Sequence, residues 1–380
     1  MRSIVILGST GSIGVQALEI VAAHPEQFTV AALSAGSNNL PLLMEQAARF
    51  NVPVVGTTAT KAEAMKHAKS AAIDVIDGPD ASTEIAGMKC DVVLNGITGS
   101  IGLAPTLAAL KAGNLLALAN KESLVAGGEL VMSFGADRIL PVDSEHSALF
   151  QAMLSGKRSE VAKLVLTASG GPFRERSDLS GITVQQALAH PTWAMGPVVT
   201  INSATLMNKG LEIIEAHYLF DIPYAQIEAV IHPQSVVHSL VEFHDGSTLA
   251  QASPPNMKGP IAYALGYPER IKAATSAINW SASHTWNFDP IDNAHFPAIS
   301  LAKHCGELGG GATAIYNAAN EVAVAAFLEE RISFTDIVPA VEKVVNKLAS
   351  EVQVVRDLTD VSAIEKDARE LAHLTLSERA

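Results

Sequence analysis

Two carboxylate residues stand two positions apart at the end of a short apolar stretch. Asp143 and Glu145 follow Ile139–Val142, which is typical of a strand, and an extended backbone would direct both side chains to one side. Two convergent carboxylates repel each other unless a cation lies between them, and hard oxygen ligands suit Mg²⁺ or Mn²⁺. The alternative is a helix N-terminus, with Asp143 or Ser144 as the cap and Glu145 in the first turn.

A second stretch places cationic, amide and acidic side chains on one expected helix. Ser203 is a suitable N-cap, and Lys209 and Glu212 are three positions apart, so they share a helix face. They could form an ordinary ion pair. Together with Asn208 and Ser203 they could instead hold a phosphate and complete a metal site. Glu215 shares the face, so the pattern leaves open which glutamate is the ligand.

Two further segments between these stretches are candidates for binding. The expected strand Val161–Ala168 ends in Ser169-Gly-Gly-Pro172, and a serine with two glycines can form a nest of backbone N–H groups for a phosphate. The segment His190–Pro197 holds two prolines, a glycine and Trp193. It is either a mobile loop that closes over a site or a surface loop with its Trp in the core.

The N-terminus carries a glycine-rich turn. The strand Arg2–Leu7 is followed by Gly8-Ser-Thr-Gly-Ser-Ile-Gly14 and a helical pattern, which is the context of a dinucleotide fingerprint. A pyrophosphate is favoured at such a helix N-terminus; the alternative is a tight turn without a ligand. The second strand ends in Ser34–Asn39 without an acidic residue. NAD sites usually have one there for the ribose 2′-hydroxyl, so we expect NADP.

Alternating strands and helices must position these residues. Apolar strands and helical patterns alternate to about residue 119, which favours a doubly wound parallel sheet. Ligands gather beyond the carboxyl ends of such strands, where Asn95–Gly99 and Asn120–Ser123 fall. Lys121 is a candidate cation for a substrate oxygen; alone it would be read as a solvated loop lysine. The expected helices in this part include Lys61–Ser70.

The later part of the chain changes character. Three further strands, two of them joined by the turn Asp245-Gly246, predict a mixed sheet suited to self-association, and the chain is helical from Phe296 onward. The fold class is therefore α/β: a Rossmann-like parallel sheet, a central α/β catalytic domain with a mixed sheet, and a C-terminal helical bundle. We expect domain boundaries at 1–143 (NADPH binding), 144–266 (catalysis), 267–293 (linker) and 294–380 (helical).

Composition excludes several classes of function. The 380 residues are 48% hydrophobic with a net charge of −13 and no basic run, so a nucleic-acid binder is disfavoured. Cys90 and Cys305 give neither a disulfide framework nor a metal motif. The first strand follows Met1 closely and no apolar run reaches membrane-spanning length. We expect a cytoplasmic protein without a membrane partner.

Six ordered blocks together resemble the 1-deoxy-D-xylulose 5-phosphate reductoisomerase family, over nearly the whole chain. They are Gly8–Gly14, Asn120-Lys-Glu122, Val142-Asp-Ser-Glu-His146, Ser169-Gly-Gly-Pro-Phe173, His190-Pro-x-Trp193 and Asn202-Ser-Ala-Thr-x-Met-Asn-Lys-Gly-x-Glu212.

The resemblance implies roles for individual residues. NADPH would lie on Thr10, Gly11, Ser12, Ile13, Gly36, Ser37, Asn38, Asn120, Glu122 and Gly196. One divalent cation (Mg²⁺ or Mn²⁺, with Co²⁺ as a further option) would be bound by Asp143, Glu145 and Glu212. The substrate would meet Lys121, Ser144, Glu145 and Glu212 near its carbonyl end, Ser169, His190, Ser203, Asn208 and Lys209 near its phosphate, and Trp193 on the flap. Many family members have a basic residue where Ser37 stands, which weakens the expected 2′-phosphate contact.

The implied activity is rearrangement and NADPH-dependent reduction of 1-deoxy-D-xylulose 5-phosphate to 2-C-methyl-D-erythritol 4-phosphate, by a homodimer, in non-mevalonate isoprenoid synthesis. Lys121, Asp143, Glu145 and Glu212 would carry the catalysis. A retro-aldol/aldol route and an alkyl shift both remain open. The competing hypotheses are another NADP-dependent, metal-assisted reductase of a phosphorylated polyol or ketoacid, and a non-catalytic NADPH sensor. A sensor would not need metal-binding carboxylates.

Overall fold

The computed structural model describes residues 1–68, 72–193, 195–349 and 354–377. The chain forms two compact units, each assembled from several segments. The first unit contains Met1–Ser123, Val131–Ser147 and Asn256–Ser276, and the second contains Leu124–Leu130, Ala148–Pro255 and Ala277–Ala380.

The first unit is built on a parallel sheet of short, apolar strands. Most of their Val, Ile and Leu side chains are buried, as expected for a sheet covered on both faces. The spatial order is β4-β3-β2-β1-β5-β6-β7. The strands are β1 Arg2–Leu7, β2 Phe28–Ala35, β3 Val54–Thr57, β4 Asp74–Asp77, β5 Val92–Asn95, β6 Leu115–Leu118 and β7 Ile139–Pro141.

The described helices connect these strands and form most of the C-terminal part. In chain order they are α1 Ser12–Ala23, α2 Leu40–Arg49, α3 Lys61–Met65, α4 Ala81–Ala86, α5 Leu103–Lys111, α6 Lys121–Met132, α7 Ser144–Met153, α8 Val184–Leu188, α9 Pro197–Ala204, α10 Met207–Phe220, α11 Lys258–Gly266, α12 Ala298–Leu308, α13 Ala312–Leu328, α14 Ile337–Leu348 and α15 Leu358–Ser377.

The strand order reverses at β1, which pairs with β2 on one side and β5 on the other. In doubly wound sheets this switch point is where ligands bind. Gly8 follows β1 with φ +75°, and a Cβ there would lie 2.8 Å from the Gly96 carbonyl oxygen. A Cβ at Gly14, in α1, would lie 2.4 Å from the Ser9 Cα atom. The turn therefore requires glycine at both positions, for a left-handed backbone and for a close helix–turn approach.

The second unit holds a mixed sheet in the order β11-β10-β8-β9-β12. Its central strand β8 runs parallel to β9 and antiparallel to β10. The Asp245-Gly246 turn joins β10 to β11 as a hairpin. The strands are β8 Val161–Ala168, β9 Ile227–Ile231, β10 Val237–Phe243, β11 Thr248–Ala252 and β12 Asp289–Pro290.

The C-terminal helices pack around α13, which is buried along nearly its whole length. It contacts α12, α14 and α15, and it also contacts α9. The strongly amphipathic α14 buries Ile337, Val341 and Val344 on one face, the pattern of a helix whose apolar stripe faces the core. The buried helix α13 therefore packs against α9, the helix that carries Ser203.

The predicted fold class is confirmed: a parallel sheet, a mixed sheet and C-terminal helices are all present. The predicted single helix from Ser203 to about Phe220 is wrong. Ser203 lies in the last turn of α9, and Leu206, in the left-handed region with φ 59°, separates α9 from α10. The sequence also missed β4, α4, α6 and α11. The predicted helix Lys61–Ser70 ends at Met65 as α3, and its last two positions lie outside the described residues.

The predicted boundaries at residues 143, 266 and 293 divide the chain sequentially and stay a prediction. No described helix has the length and apolarity needed to cross a membrane.

We predict that Gly14→Ala lowers the stability of the protein, because a Cβ would overlap backbone atoms of the preceding turn, which cannot swing aside as a side chain would. Overpacking of this kind costs about 1–3 kcal/mol. Thermal unfolding followed by circular dichroism should show a lower melting temperature. Gly36→Ala is the matched control: nothing lies within 4 Å of a Cβ there, and its φ is −64°. Equal melting temperatures would contradict the close approach.

Candidate active site

Asp143 stands between β7 and α7, at the carboxyl edge of the first sheet. Helix α7 begins at Ser144, and the Glu145 N–H donates to Asp143 Oδ1 at 3.3 Å. The predicted convergence of the two carboxylates is confirmed, since an oxygen of Asp143 lies within 4.8 Å of one of Glu145, but the predicted extended backbone between them is wrong. The alternative interpretation, a polar helix start, is the observed one, because the carboxylate satisfies a free N–H of the first turn.

Asp143 also contacts two potential cations of the same unit. Lys121 Nζ, at the start of α6, lies 2.6 Å from Asp143 Oδ2, and His146 Nδ1 lies 3.3 Å from Asp143 Oδ1. Burial alone would raise the pKa of Asp143, but Lys121 and His146 outweigh it, and the pKa lies well below its usual value. Asp143 is therefore an anion at neutral pH, the form in which a carboxylate binds a metal.

His146 is a site residue that sequence reasoning did not assign. It is fully buried and is one helical turn beyond Asp143. The spacing of three positions at a helix start was a usable signal, because such residues share a face.

The remaining predicted residues of this segment are Ser144 and Glu145. Both are half-buried, and the Ser144 hydroxyl donates to Glu145 Oε2 at 2.6 Å. The first turn of α7 therefore presents a carboxylate and a hydroxyl together, next to the anionic Asp143.

In the second unit, α10 brings together the expected basic, amide and acidic groups. Glu212 accepts hydrogen bonds from the Lys209 ammonium and from the Asn208 amide. Lys209 is 3% exposed and Glu212 is 1% exposed, so neither charge is screened by water and each depends on its partner. Glu215, which the sequence left as an alternative ligand, is also fully buried on this helix.

Two chain-distant side chains of the second unit meet at His190. Its Nε2 lies 3.0 Å from the Ser169 hydroxyl and 3.1 Å from the Ser203 hydroxyl. Its Nδ1 accepts backbone N–H groups of Thr192 and Trp193, so in the neutral ring the proton is on Nε2. Ser169, His190 and Ser203, all predicted to bind phosphate, therefore form one polar cluster.

The loop after β8 supports this cluster. Gly170 and Gly171 both have positive φ, and the Gly171 N–H donates to the Ser169 hydroxyl oxygen at 3.2 Å. A Cβ at Gly171 would lie 2.9 Å from the Ser203 carbonyl oxygen. The two glycines thus let β8 approach α9 closely enough for both serines to reach His190.

The pKa of His190 is lowered, first by burial and then by the nearby positive charge of Arg174. Both effects disfavour the imidazolium form. His190 is therefore neutral at pH 7 and offers a single N–H on the side of the two serines.

The predicted flap follows His190. Trp193 is half-buried, with its ring centroid 6.3 Å from that of His238. Ala194 lies outside the described residues, and Gly196 directly precedes α9.

Seven of the residues predicted to hold a dinucleotide, Thr10–Ile13 and Gly36–Asn38, follow β1 and β2 in the first sheet. Gly11 and Ser12, at the N-terminus of α1, are exposed, and Thr10 and Ile13 are half-buried. After β2, Gly36, Ser37 and Asn38 are exposed, while the Asn39 side chain caps α2. The Asn120 amide donates to Glu122 Oε2 at 3.1 Å. Exposed N–H groups at a helix start and neutral polar groups after β2 suit an anionic cofactor without an acid for the ribose.

Three family models match the chain. "1-deoxy-D-xylulose 5-phosphate reductoisomerase" matches residues 4–128, the C-terminal domain of the same name matches residues 139–220, and "DXP reductoisomerase C-terminal domain" matches residues 252–371. The 1-deoxy-D-xylulose 5-phosphate reductoisomerase of Beutenbergia cavernae is 57% identical, with 97% of this chain and 95% of the relative covered. That of Streptomyces coelicolor is 52% identical, with 100% and 94% covered.

This chain belongs to the 1-deoxy-D-xylulose 5-phosphate reductoisomerase family. The resemblance inferred from six sequence blocks is thereby confirmed.

Solved structures of reductoisomerases agree with this assignment. A DOX-P reductoisomerase in complex with NADPH, fosmidomycin and magnesium is 39% identical, with a TM-score of 0.92 over 99% of this chain and 98% of that one. The Zymomonas mobilis enzyme in complex with NADPH is 38% identical, with a TM-score of 0.92 over 99% of both chains.

We predict that His190 contributes to the acid sensitivity of the protein. Because its folded pKa is lowered, its contribution to stability is fully present above the pKa of unfolded histidine, about 6.5. It is lost as the pH falls through that value toward the lower folded pKa. The melting temperature of His190→Asn should therefore fall less steeply than that of the wild type between pH 7 and pH 5.

The exposed His244 of the same unit provides the control His244→Asn. Identical slopes for the wild type and His190→Asn would show that His190 is not held in its neutral form.

Proposed function

We propose that this chain converts 1-deoxy-D-xylulose 5-phosphate to 2-C-methyl-D-erythritol 4-phosphate, by a skeletal rearrangement followed by reduction with NADPH. The observation that carries the proposal is family membership along the whole chain. The described side chains support it, because anionic oxygen ligands, buried lysines and a polar cluster suited to a phosphate are all present.

We propose Asp143, Glu145 and Glu212 as ligands of one divalent cation. All three offer carboxylate oxygens, the donors that Mg²⁺ and Mn²⁺ prefer. Asp143 is held as an anion, and Glu212 is buried among hydrogen-bond donors. When bound, the cation supplies a Lewis acid and a template for the carbonyl and hydroxyl oxygens of the sugar.

Lys121 is proposed to bind the same end of the substrate. Lys121 is 8% exposed, and its ammonium group is aligned by Asp143. A positive charge held in place before the substrate arrives stabilises oxygen atoms that gain negative charge, without a reorganisation cost during the reaction. Ser144 and Glu145 are proposed to hydrogen-bond to the adjacent hydroxyl groups.

The phosphate end is assigned to Ser169, His190, Ser203, Asn208 and Lys209. Neutral His190 and the hydroxyls offer hydrogen bonds, Asn208 offers an amide, and Lys209 supplies a full positive charge. These contacts are remote from the reacting carbons. Their binding energy orients the sugar and can drive closure of the Trp193 loop, which excludes water.

NADPH is proposed to lie along the carboxyl edge of the first sheet, on the ten residues named from the sequence. The glycine turn allows close approach of a pyrophosphate, and the N-terminus of α1 favours its negative charge. When bound, the nicotinamide supplies the hydride.

We also propose a cytoplasmic homodimer with the sequential domains given above.

The test is metal-dependent oxidation of NADPH, followed at 340 nm with the ketose phosphate as substrate, together with product analysis. A branched methyl tetritol phosphate is the expected product. NADPH oxidation that needs no metal, or an unbranched product, would refute the proposed function.

Glu212→Gln should lose nearly all turnover while still binding NADPH. The amide keeps the size of the side chain but removes the negative charge that a cation requires. Turnover at saturating Mg²⁺ and NADPH binding by fluorescence are the measurements. Glu228→Gln, at a half-exposed glutamate of the same unit, is the control. A normal kcat in Glu212→Gln would remove Glu212 from the proposed metal site.

Lys209→Met should raise the KM for the ketose phosphate by about 10-fold or more, since a charge-assisted hydrogen bond to a buried anion contributes roughly 1.5–3 kcal/mol. The KM for NADPH should not change. Steady-state kinetics measure both values. Lys163→Met, which removes a lysine paired with Glu228 on the surface of the second unit, is the matched control. An unchanged substrate KM would exclude Lys209 from the phosphate site.

A further inference from the structure

Four fully buried polar side chains in the first unit form a chain of hydrogen bonds. The Asn95 amide donates to the Thr106 hydroxyl at 2.9 Å, and the Thr106 hydroxyl donates to the Ser123 hydroxyl at 3.1 Å. The Ser123 hydroxyl donates to Asn120 Oδ1. None of the four is more than 1% exposed. Each hydroxyl accepts one bond and donates the next, so all the bonds run in one direction.

The backbone closes this chain into a circuit. The Asn120 amide donates to the Ile97 carbonyl oxygen at 2.6 Å, and the Ile97 N–H donates to Asn95 Oδ1 at 3.1 Å. Hydrogen bonds that follow one another in this way polarise each other in a low-dielectric interior. Removal of one member leaves a buried partner unsatisfied, which costs more than the bond itself contributes.

The circuit ties together two segments that the sheet alone does not connect. Asn120 Nδ2 also donates to the Gly99 carbonyl oxygen at 2.8 Å, and Asn95 Nδ2 to the Gly102 carbonyl oxygen at 3.0 Å. The loop 96–102 after β5 is thereby fixed at three carbonyls. A Cβ at Gly102 would lie 2.8 Å from the Asn120 side chain, so the loop packs directly against the Asn120 member of the circuit.

The other end of the circuit lies at the start of α6. The Ser123 N–H donates to Asn120 Oδ1 at 2.9 Å, so Asn120 fixes the first turn of this helix, from which Lys121 and Glu122 project. Both amide hydrogens of Asn120 and its carbonyl oxygen are committed within the protein. The Asn120 side chain therefore holds the loop 96–102 and the first turn of α6 in place beside the proposed cofactor site.

We infer that Asn95, Thr106 and Ser123 are positioning residues for NADPH. Acting through Asn120, they hold the loop 96–102 and the first turn of α6 in the arrangement that receives the cofactor next to the β1–β5 switch point. This inference rests on the proposed function. It assigns a role to three residues that were given none from the sequence, and it adds to the proposed cofactor contact of Asn120 the hydrogen bonds that fix its side chain.

The experiment compares NADPH affinity by fluorescence titration, without substrate or metal, in hydroxyl-deletion variants of the full chain. Thr106→Val keeps the shape of the side chain but breaks the circuit, and Ser123→Ala breaks it at the next bond. Each should weaken NADPH binding by about 10-fold, the effect of one unsatisfied buried group. Thr106→Ser keeps the hydroxyl and should retain wild-type affinity.

The double variant provides the signature of a circuit. Because both changes interrupt the same closed chain, Thr106→Val with Ser123→Ala should bind NADPH no more weakly than the weaker single variant. Thr375→Val, at a buried threonine of α15, controls for the loss of a buried hydroxyl and should lower stability without changing NADPH affinity.

Unchanged NADPH affinity in the single variants, or additive losses in the double variant, would overturn the inference. So would a loss in Thr375→Val equal to that in Thr106→Val, because the effect would then be one of general stability. If Thr106→Val does not fold, Ser123→Ala against the Thr375→Val control decides alone. Failure of the proposed function is recognised separately, by a wild-type protein that binds NADPH but does not reduce the ketose phosphate.

Discussion

The buried ion pair between Lys121 and Asp143 is the interaction on which the rest of the site depends. It joins residues that follow two neighbouring parallel strands, and the low pKa of Asp143 keeps its carboxylate ionised in spite of burial. Metal binding by a carboxylate requires the deprotonated form, so Asp143 is already in the form that the proposed metal site needs. The pair Lys209–Glu212 repeats the arrangement in the second unit. A buried charge destabilises the protein when it has no partner, and an oppositely charged neighbour offsets that cost. This explains why lysines and carboxylates occur in pairs where the proposed chemistry takes place.

Much of the fold follows from local pattern. The alternation of apolar strands with helical patterns predicts the parallel sheet, because strands buried on both faces have nearly continuous runs of Val, Ile and Leu. The elements that were missed have physical reasons. Strand β4 is a four-residue edge strand with aspartate at both ends. Helix α6 contains a glycine pair and is kinked at Gly127, and α11 begins with Lys-Gly-Pro. In each case tertiary packing outweighs weak intrinsic propensity.

The candidate site was predictable where partners are close in sequence. Lys209 and Glu212 are one helical turn apart, and their pairing followed from spacing. The backbone conformation that brings Asp143 and Glu145 together did not follow from spacing, because a strand end with two acidic residues and a capped helix start have the same sequence pattern. Ser169, His190 and Ser203 meet only because a glycine loop brings β8 close to α9. The circuit through Thr106 could not be predicted for a related reason. Asn95, Thr106 and Ser123 are far apart in the sequence, and only the folded sheet brings them within hydrogen-bond distance.

The charge of the chain poses a final electrostatic problem, because a net charge of −13 repels a sugar phosphate and a dinucleotide alike. Local fields must therefore exceed the global one at both proposed anion sites. In the second unit the pKa of His190 is lowered first by burial and then by the positive charge of Arg174, so at least one cation acts on the polar cluster even though the protein is acidic. At the first sheet the same task falls to the N-terminus of α1 and to backbone N–H groups, which carry no net charge. The binding of anions by an acidic protein then depends on aligned dipoles and buried lysines, and both act only if the backbone around them is held still.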